Sequence, residues 1–167
     1  MTRYLQGFAC LYSVRHHFRG GIDIFQRGCF SDGLSKFNDV MFGIDHQYHK
    51  PPLGRQEDDS LQLEDTDVGL AFRLRLQKGH LELLDGRDQV SVACIPHDVE
   101  FREGARHIKS ASIFEISAVF VGAMTTTHSV VVDADKICSL KDDAKSGFAY
   151  ESAAVAFMRT LKRFETS

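Results

Sequence analysis

Three polar residues lie in stretches where the surrounding pattern makes them candidates for chemistry. Glu115 sits in Ile113-Phe114-Glu115-Ile116-Ser117-Ala118-Val119-Phe120. In an unbroken strand it shares a face with Ile113, Ser117 and Val119. A carboxylate in such company is costly unless a partner meets it; an edge strand that turns Glu115 to water is the plainer alternative. Ser91 lies in Gln89-Val90-Ser91-Val92-Ala93-Cys94-Ile95 and shares a face with Ala93 and Ile95. The small Ala93 leaves room beside the hydroxyl, although most serines in strands do no chemistry. His46 ends the apolar run Val40 to Ile44, and a strand end is a rigid place to hold a base; a solvated loop histidine would occupy the same place. A serine, a histidine and a carboxylate are the parts of a hydrolytic triad, in which the hydroxyl attacks a carbonyl, the imidazole takes its proton and the acid orients the imidazole. Spacing alone does not bring the three together.

Other chemistries find less support. His46 and His49 with Asp45 have metal-ligand types, but a three-residue spacing puts both imidazoles on one face only in a helix. Pro51 and Pro52 oppose a long helix there. There is no HExxH, and the adjacent His16 and His17 point apart. The absence of a GxSxG leaves an α/β-hydrolase nucleophile elbow unsupported. No metal and no organic cofactor is expected.

The elements that must carry these residues read as mainly β. Tyr4 to Tyr12 is an apolar and aromatic run, punctuated afterwards by Gly20 and Gly21. Asp32 to Lys36 has room for one or two helical turns behind a Ser31 cap. The polar stretch Gln47 to Asp59, with Pro51 and Pro52, reads as a flexible loop. Leu61 and Leu63, then Leu70, Phe72, Leu74 and Leu76, alternate with polar residues on either side of Asp65-Thr66-Asp67, a hairpin pattern with one buried face. Gln89 to Ile95 and Ser112 to Val121 are two further strands, with a turn or hairpin across Pro96 to Arg106. Asp133 to Ala144 and Phe148 to Phe164 have helical spacing.

Composition bounds the class. The 167 residues are 43% hydrophobic and 26% charged, which suits one domain with its own core. A net charge of −3 gives no footprint for nucleic acid. No run approaches the ~18 apolar residues of a membrane span, and the first residues lack a signal-peptide pattern. The four cysteines, at 10, 29, 94 and 138, form no close pair and fit a reducing compartment.

Several blocks, in order, resemble the prohead (procapsid maturation) protease family of tailed bacteriophages. They are Gly28-Cys29-Phe30 followed by Leu34, Ile44-Asp45-His46 followed by Pro52-Leu53-Gly54-Arg55, Gly69-Leu70-Ala71-Phe72, Gln89-Val90-Ser91-Val92-Ala93, Arg106-His107-Ile108, and Ile113 to Val119. The resemblance runs from about Leu5 to Val130 and extends distantly to herpesvirus assemblins. It implies an α+β fold with a mainly antiparallel, barrel-like β core and flanking helices. It further implies a protease domain over 1–130; outside the resemblance, 131–167 reads from its spacing as a helical segment that packs on the core or serves dimerisation or packaging.

Carried over by motif, the resemblance assigns Ser91 as nucleophile, His46 as general base and Glu115 as the acid that orients it. The oxyanion would be met by main-chain N–H groups near Ser91, such as that of Val92, with help from Arg106; a surface Arg106 paired to an acidic neighbour is the competing expectation. The implied activity is that of a serine endopeptidase acting on major capsid or scaffold proteins, and possibly on itself, inside the procapsid in the host bacterial cytoplasm. Homodimers or higher self-association, with no nucleic acid or membrane partner, go with it. A non-catalytic assembly module of the same fold and a histidine–metal hydrolase are the alternatives. Two departures stand out. Val121-Gly122-Ala123 replaces a Pro-Ala pair, and Gln47 follows His46 where the family often has an acid, which leaves Asp45 and Glu115 both open as the orienting group.

Overall fold

The computed structural model describes residues 2–18, 20–34, 39–122, 127–146 and 148. In chain order the elements are β1 (Arg3–Leu11), β2 (Arg15–Phe18), β3 (Gly21–Phe25), a 3-10 turn (Ser31–Leu34), β4 (Met41–Ile44), β5 (Gly54–Arg55), β6 (Leu61–Asp65), β7 (Gly69–Leu76), α1 (His80–Leu84), β8 (Gln89–Arg102), β9 (Ala105–Val119), β10 (Ser129–Asp133), a 3-10 turn (Ala134–Lys136) and α2 (Leu140–Ser146).

The strands form two sheets. One has the order β10-β1-β7-β6 and is antiparallel throughout. The other has the order β2-β3-β9-β4-β5, with β8 paired to β9 as a long hairpin. The mixed α+β class is as expected; the named strands pair into two sheets, joined at one seam by an antiparallel bridge between Gln89 of β8 and His128 just before β10. The second sheet is not purely antiparallel, because β3 and β4 both run parallel to β9. A single 15-residue strand, β9, is long enough to hold both of them in succession.

Alternation builds the core. On β7, Leu70, Phe72 and Leu74 are fully buried and face the second sheet, where Phe42 of β4 meets Phe72 with ring centroids 5.2 Å apart. At about 25 cal/mol per Å² of apolar surface removed from water, each such side chain contributes roughly 1.5–3 kcal/mol. The expectation of one buried face for this strand is too narrow. Ala71 and Arg73, on its other face, are buried beneath α2 together with Phe8, Leu140, Ala144 and Phe148.

Other expectations shift in detail. Of the turn or hairpin expected across Pro96 to Arg106, the hairpin is found: Pro96 to Arg102 is strand, and the reversal is confined to Glu103 and Gly104, both at positive φ. Within Gln47 to Asp59 the chain is ordered enough to place β5 and to bury Leu53. Asp133 to Ala144 divides into the end of β10, a 3-10 turn and the start of α2. β10 pairs with β1 from Ser129 to Asp133 and so runs across the expected boundary at residue 130. The helix expected over Phe148 to Phe164 lies outside the described residues apart from Phe148, as does the second half of the turn over Asp32 to Lys36.

Candidate active site

The site lies where β4, β9 and β8 run side by side. Across these strands Gly43, Ser117 and Ser91 are in register, and so are Met41, Glu115 and Ala93. Residues opposite one another on paired strands point to the same side, so Glu115, Ser117, Ser91 and Ala93 occupy one face. That face is opposite the core face formed by Val90, Ile116 and Ala118.

A β-bulge separates the two faces. Ala93 pairs with Glu115 but Cys94 pairs with Ile113, leaving Phe114 as the extra residue on β9. The insertion turns Ile113 into the core beside Ile116, while Glu115 stays on the opposite side. Strict alternation would group Glu115 with Ile113; the bulge removes that conflict, and Phe114 becomes an exposed side chain at the rim.

Glu115 is only 3% exposed, and both of its oxygens are met. His46 Nδ1 donates to Oε2 at 2.6 Å, and the Ser117 hydroxyl donates to Oε1 at 2.8 Å. With its proton assigned to Nδ1, the ring presents Nε2 as the free acceptor. The imidazole is 32% exposed, so a reachable base sits over a buried acid. Nearby Tyr48 has its phenol pKa pushed up by burial and by the adjacent Glu115 charge.

His46 is held from behind. Asp45 and His46 both adopt the left-handed region, at φ 49° and 54°, which is uncommon outside glycine and concentrates at functional sites. The turn is fixed by Asp45 N–H donating to Ala118 O at 3.0 Å and His46 N–H donating to Ser117 Oγ at 3.1 Å. The Asp45 carboxylate receives Arg87 Nε at 2.9 Å and Nη2 at 2.8 Å, and the same guanidinium lies 4.1 Å from the Phe120 ring centroid. Between the two acids that could orient His46, Glu115 therefore contacts the imidazole and Asp45 is engaged by Arg87. Arg87, Ser117 and Gly43 were not singled out from sequence. Nothing local marks them, since each acts through a residue distant in the chain.

Ser91 reaches the same face and the same level as Ser117, with a Cα–Cα separation of about 5.5 Å expected for directly paired residues. Its hydroxyl makes no hydrogen bond to His46 or to any other described residue. The carboxylate and the imidazole are thus in contact, and Ser91 stands on the strand next to that of Glu115 without a hydrogen bond to either. It lines a cleft of about 250 Å³ shared with Ala93, Cys94, Phe114, Phe25 and Arg106. Val90 N–H donates to Thr127 O, away from β9. Two residues on, the Val92 amide points the same way, on the edge of β8 beyond its bridge from Gln89 to His128.

Arg106 lies at the far side of this cleft. Its Nε and Nη2 donate to the two Asp23 oxygens at 2.6 and 2.8 Å, and it sits over Phe18 at 4.6 Å. This is the paired arginine of the competing expectation. His49 is exposed, while its two presumed co-ligands, His46 and Asp45, hold Glu115 and Arg87. Burial raises the thiol pKa of Cys10 and pushes those of Cys29 and Cys94 to about 12 and about 11, so none of the three supplies a thiolate at neutral pH. Among the described residues an imidazole–hydroxyl contact is made elsewhere, His97 Nε2 to Ser112 Oγ at 2.7 Å, and it is exposed.

A family model described as caudovirus prohead serine protease matches residues 1–142. A crystal structure of KSHV protease in complex with a hexapeptide phosphonate inhibitor superposes with a TM-score of 0.55 at 12% identity, covering 96% of this chain and 77% of that one. That likeness is one of fold. No curated protein matches the sequence.

Proposed function

The chain belongs to the caudovirus prohead serine protease family, and from that membership we propose that it is a serine endopeptidase that cleaves major capsid or scaffold protein within the procapsid, with Ser91 as nucleophile, His46 as general base and Glu115 as the orienting acid. The observation that carries this reading is the 2.6 Å contact between His46 Nδ1 and the buried Glu115 carboxylate, on the strand paired with that of Ser91; Ser91 itself lines a cleft that neither His46 nor Glu115 enters. The carboxylate sets the imidazole tautomer and stabilises the imidazolium that forms as Nε2 takes the serine proton. A hydroxyl rotation and the tightening that accompanies substrate binding would bring Ser91 Oγ to Nε2. Attack on the peptide carbonyl gives an acyl-enzyme, His46 returns its proton to the leaving amine, and water then releases the acyl group with His46 again as base.

An extended substrate lying along the edge of β8 beyond its bridge to His128 would find the Val92 N–H directed toward it, which supports main-chain donation to the oxyanion. Arg106, paired to Asp23, serves in this reading as a wall of the cleft. Self-association inside the procapsid would raise the local concentration and with it the activity. Specific activity should then fall on dilution, and a constant value across a wide dilution series would refute that part.

Co-expression with the major capsid protein tests the assignment. Ser91→Ala should abolish cleavage and labelling by a fluorophosphonate probe while the protein stays folded. His46→Ala should be about as damaging, and Ser112→Ala should change nothing. Cleavage by a folded Ser91→Ala variant would overturn the assignment and return the non-catalytic assembly module to first place.

A further inference from the structure

Ser117 is fully buried, and its hydroxyl takes part in two bonds that meet at the same histidine. It donates to Glu115 Oε1 at 2.8 Å and accepts the main-chain N–H of His46 at 3.1 Å, while Glu115 Oε2 receives His46 Nδ1. The contacts close a loop that runs from imidazole to carboxylate to hydroxyl and back to the backbone of His46. A hydroxyl has one proton and two lone pairs, so its single donor is committed to the carboxylate. Ser117 is shut off from solvent, and the missing side chain of Gly43 leaves the room that the carboxylate and the hydroxyl fill. A Cβ built at position 43 would fall 2.5 Å from Oε1 and 3.2 Å from Ser117 Oγ.

We propose that Ser117 is a positioning residue for catalysis, which fixes the rotation of the Glu115 carboxylate and at the same time holds His46 in its left-handed backbone conformation, so that Nε2 is aimed along the face carrying Ser91. This rests on the reading of Ser91, His46 and Glu115 as the catalytic set. Ser117 touches no reacting atom; it acts through the other two. Without its hydroxyl, Oε1 is a buried acceptor with no donor from that strand, and the carboxylate can rotate out of line with Nδ1. The remaining titratable neighbour of Glu115 is Tyr48.

The test uses the full chain with a peptide or capsid-protein substrate. Ser117→Ala removes the hydroxyl, Ser117→Cys removes it while keeping the volume, and Ser117→Thr restores it. The two hydroxyl-free variants should lose about tenfold or more in kcat/KM with little change in KM, and Ser117→Thr should recover most of that loss. Wild-type kcat/KM in a folded Ser117→Ala or Ser117→Cys variant would overturn the proposal. So would equal losses in the hydroxyl-free and Thr variants, which would mark a packing role. Ser91→Ala, run in parallel, separates the two readings: if it retains activity, the catalytic set itself is wrong; if it is inactive while Ser117→Ala is wild-type, only the positioning role falls.

Discussion

A methyl group at position 43 would stand 2.5 Å from Glu115 Oε1, closer than side chains approach one another. Gly43 is therefore required less for its backbone freedom than for the volume that it leaves to a carboxylate from the next strand. Gly43→Ala should push Glu115 out of line with His46 and lower kcat/KM by on the order of a hundredfold, as small misplacements of catalytic groups do. The stability cost should be about 1–3 kcal/mol, the range for overpacking. Activity assays together with chemical denaturation would separate the two effects, and an Ala variant with normal activity would show that Glu115 has another place to go. At this scale Glu115 and Ser91 were legible from their neighbours, because charge and small size are visible in the letters. Gly43 was not, since the atom that it accommodates lies 72 positions away in the chain.

The bulge at Phe114 and the clamp at Arg87 set the spacing between elements. The bulge changes which residues share a face with Glu115. Alternation along a sequence carries no sign of where an extra residue will be accommodated, because that depends on the partner strand. The clamp joins the residue just before His46 to the segment entering the strand of Ser91, through two Arg87 donors on one Asp45 oxygen and the Phe120 ring. It should hold the strands that carry His46 and Ser91 at a fixed separation. Arg87→Met and Asp45→Asn should each reduce kcat/KM by roughly tenfold, and the double variant should be no worse than either single one, with a coupling of about 1 kcal/mol. Additive losses would mean that the two residues act independently.

The whole molecule is closed on its other side by a buried cation. Arg73, 5% exposed, donates Nε to Gln6 at 2.9 Å and Nη1 to the Cys138 carbonyl at 3.0 Å, and it pairs with Asp143 of α2. Through it, β1, β7 and the segment after β10 are bound together far from the candidate site. Removing one member of a buried pair leaves the other charge uncompensated. Asp143→Ala should therefore cost about 3 kcal/mol in urea denaturation, while the activity of the folded fraction is unchanged. A loss of activity without a loss of stability would instead tie α2 to the chemistry.

Much of the reading needed only local information. The β7 core residues Leu70, Phe72 and Leu74 alternate in the chain as they do in the sheet, and the ordered blocks around His46, Ser91 and Glu115 identify the family because residue types are preserved along the chain. What the letters could not decide was pairing. Whether Asp45 or Glu115 orients His46 depends on β4 running parallel to β9, which puts Glu115 beneath the ring and leaves Asp45 to Arg87. Whether Arg106 is free or paired depends on β3 running parallel to the start of β9, which sets Asp23 beside it. The make-up of the second sheet follows from the same strand, since β9 accepts β3 and β4 in succession along one edge and β8 along the other. Hydrophobic period fixes which residues turn inward within a strand. Which strand lies beside which, and so which side chains meet, is settled only when the strands hydrogen-bond.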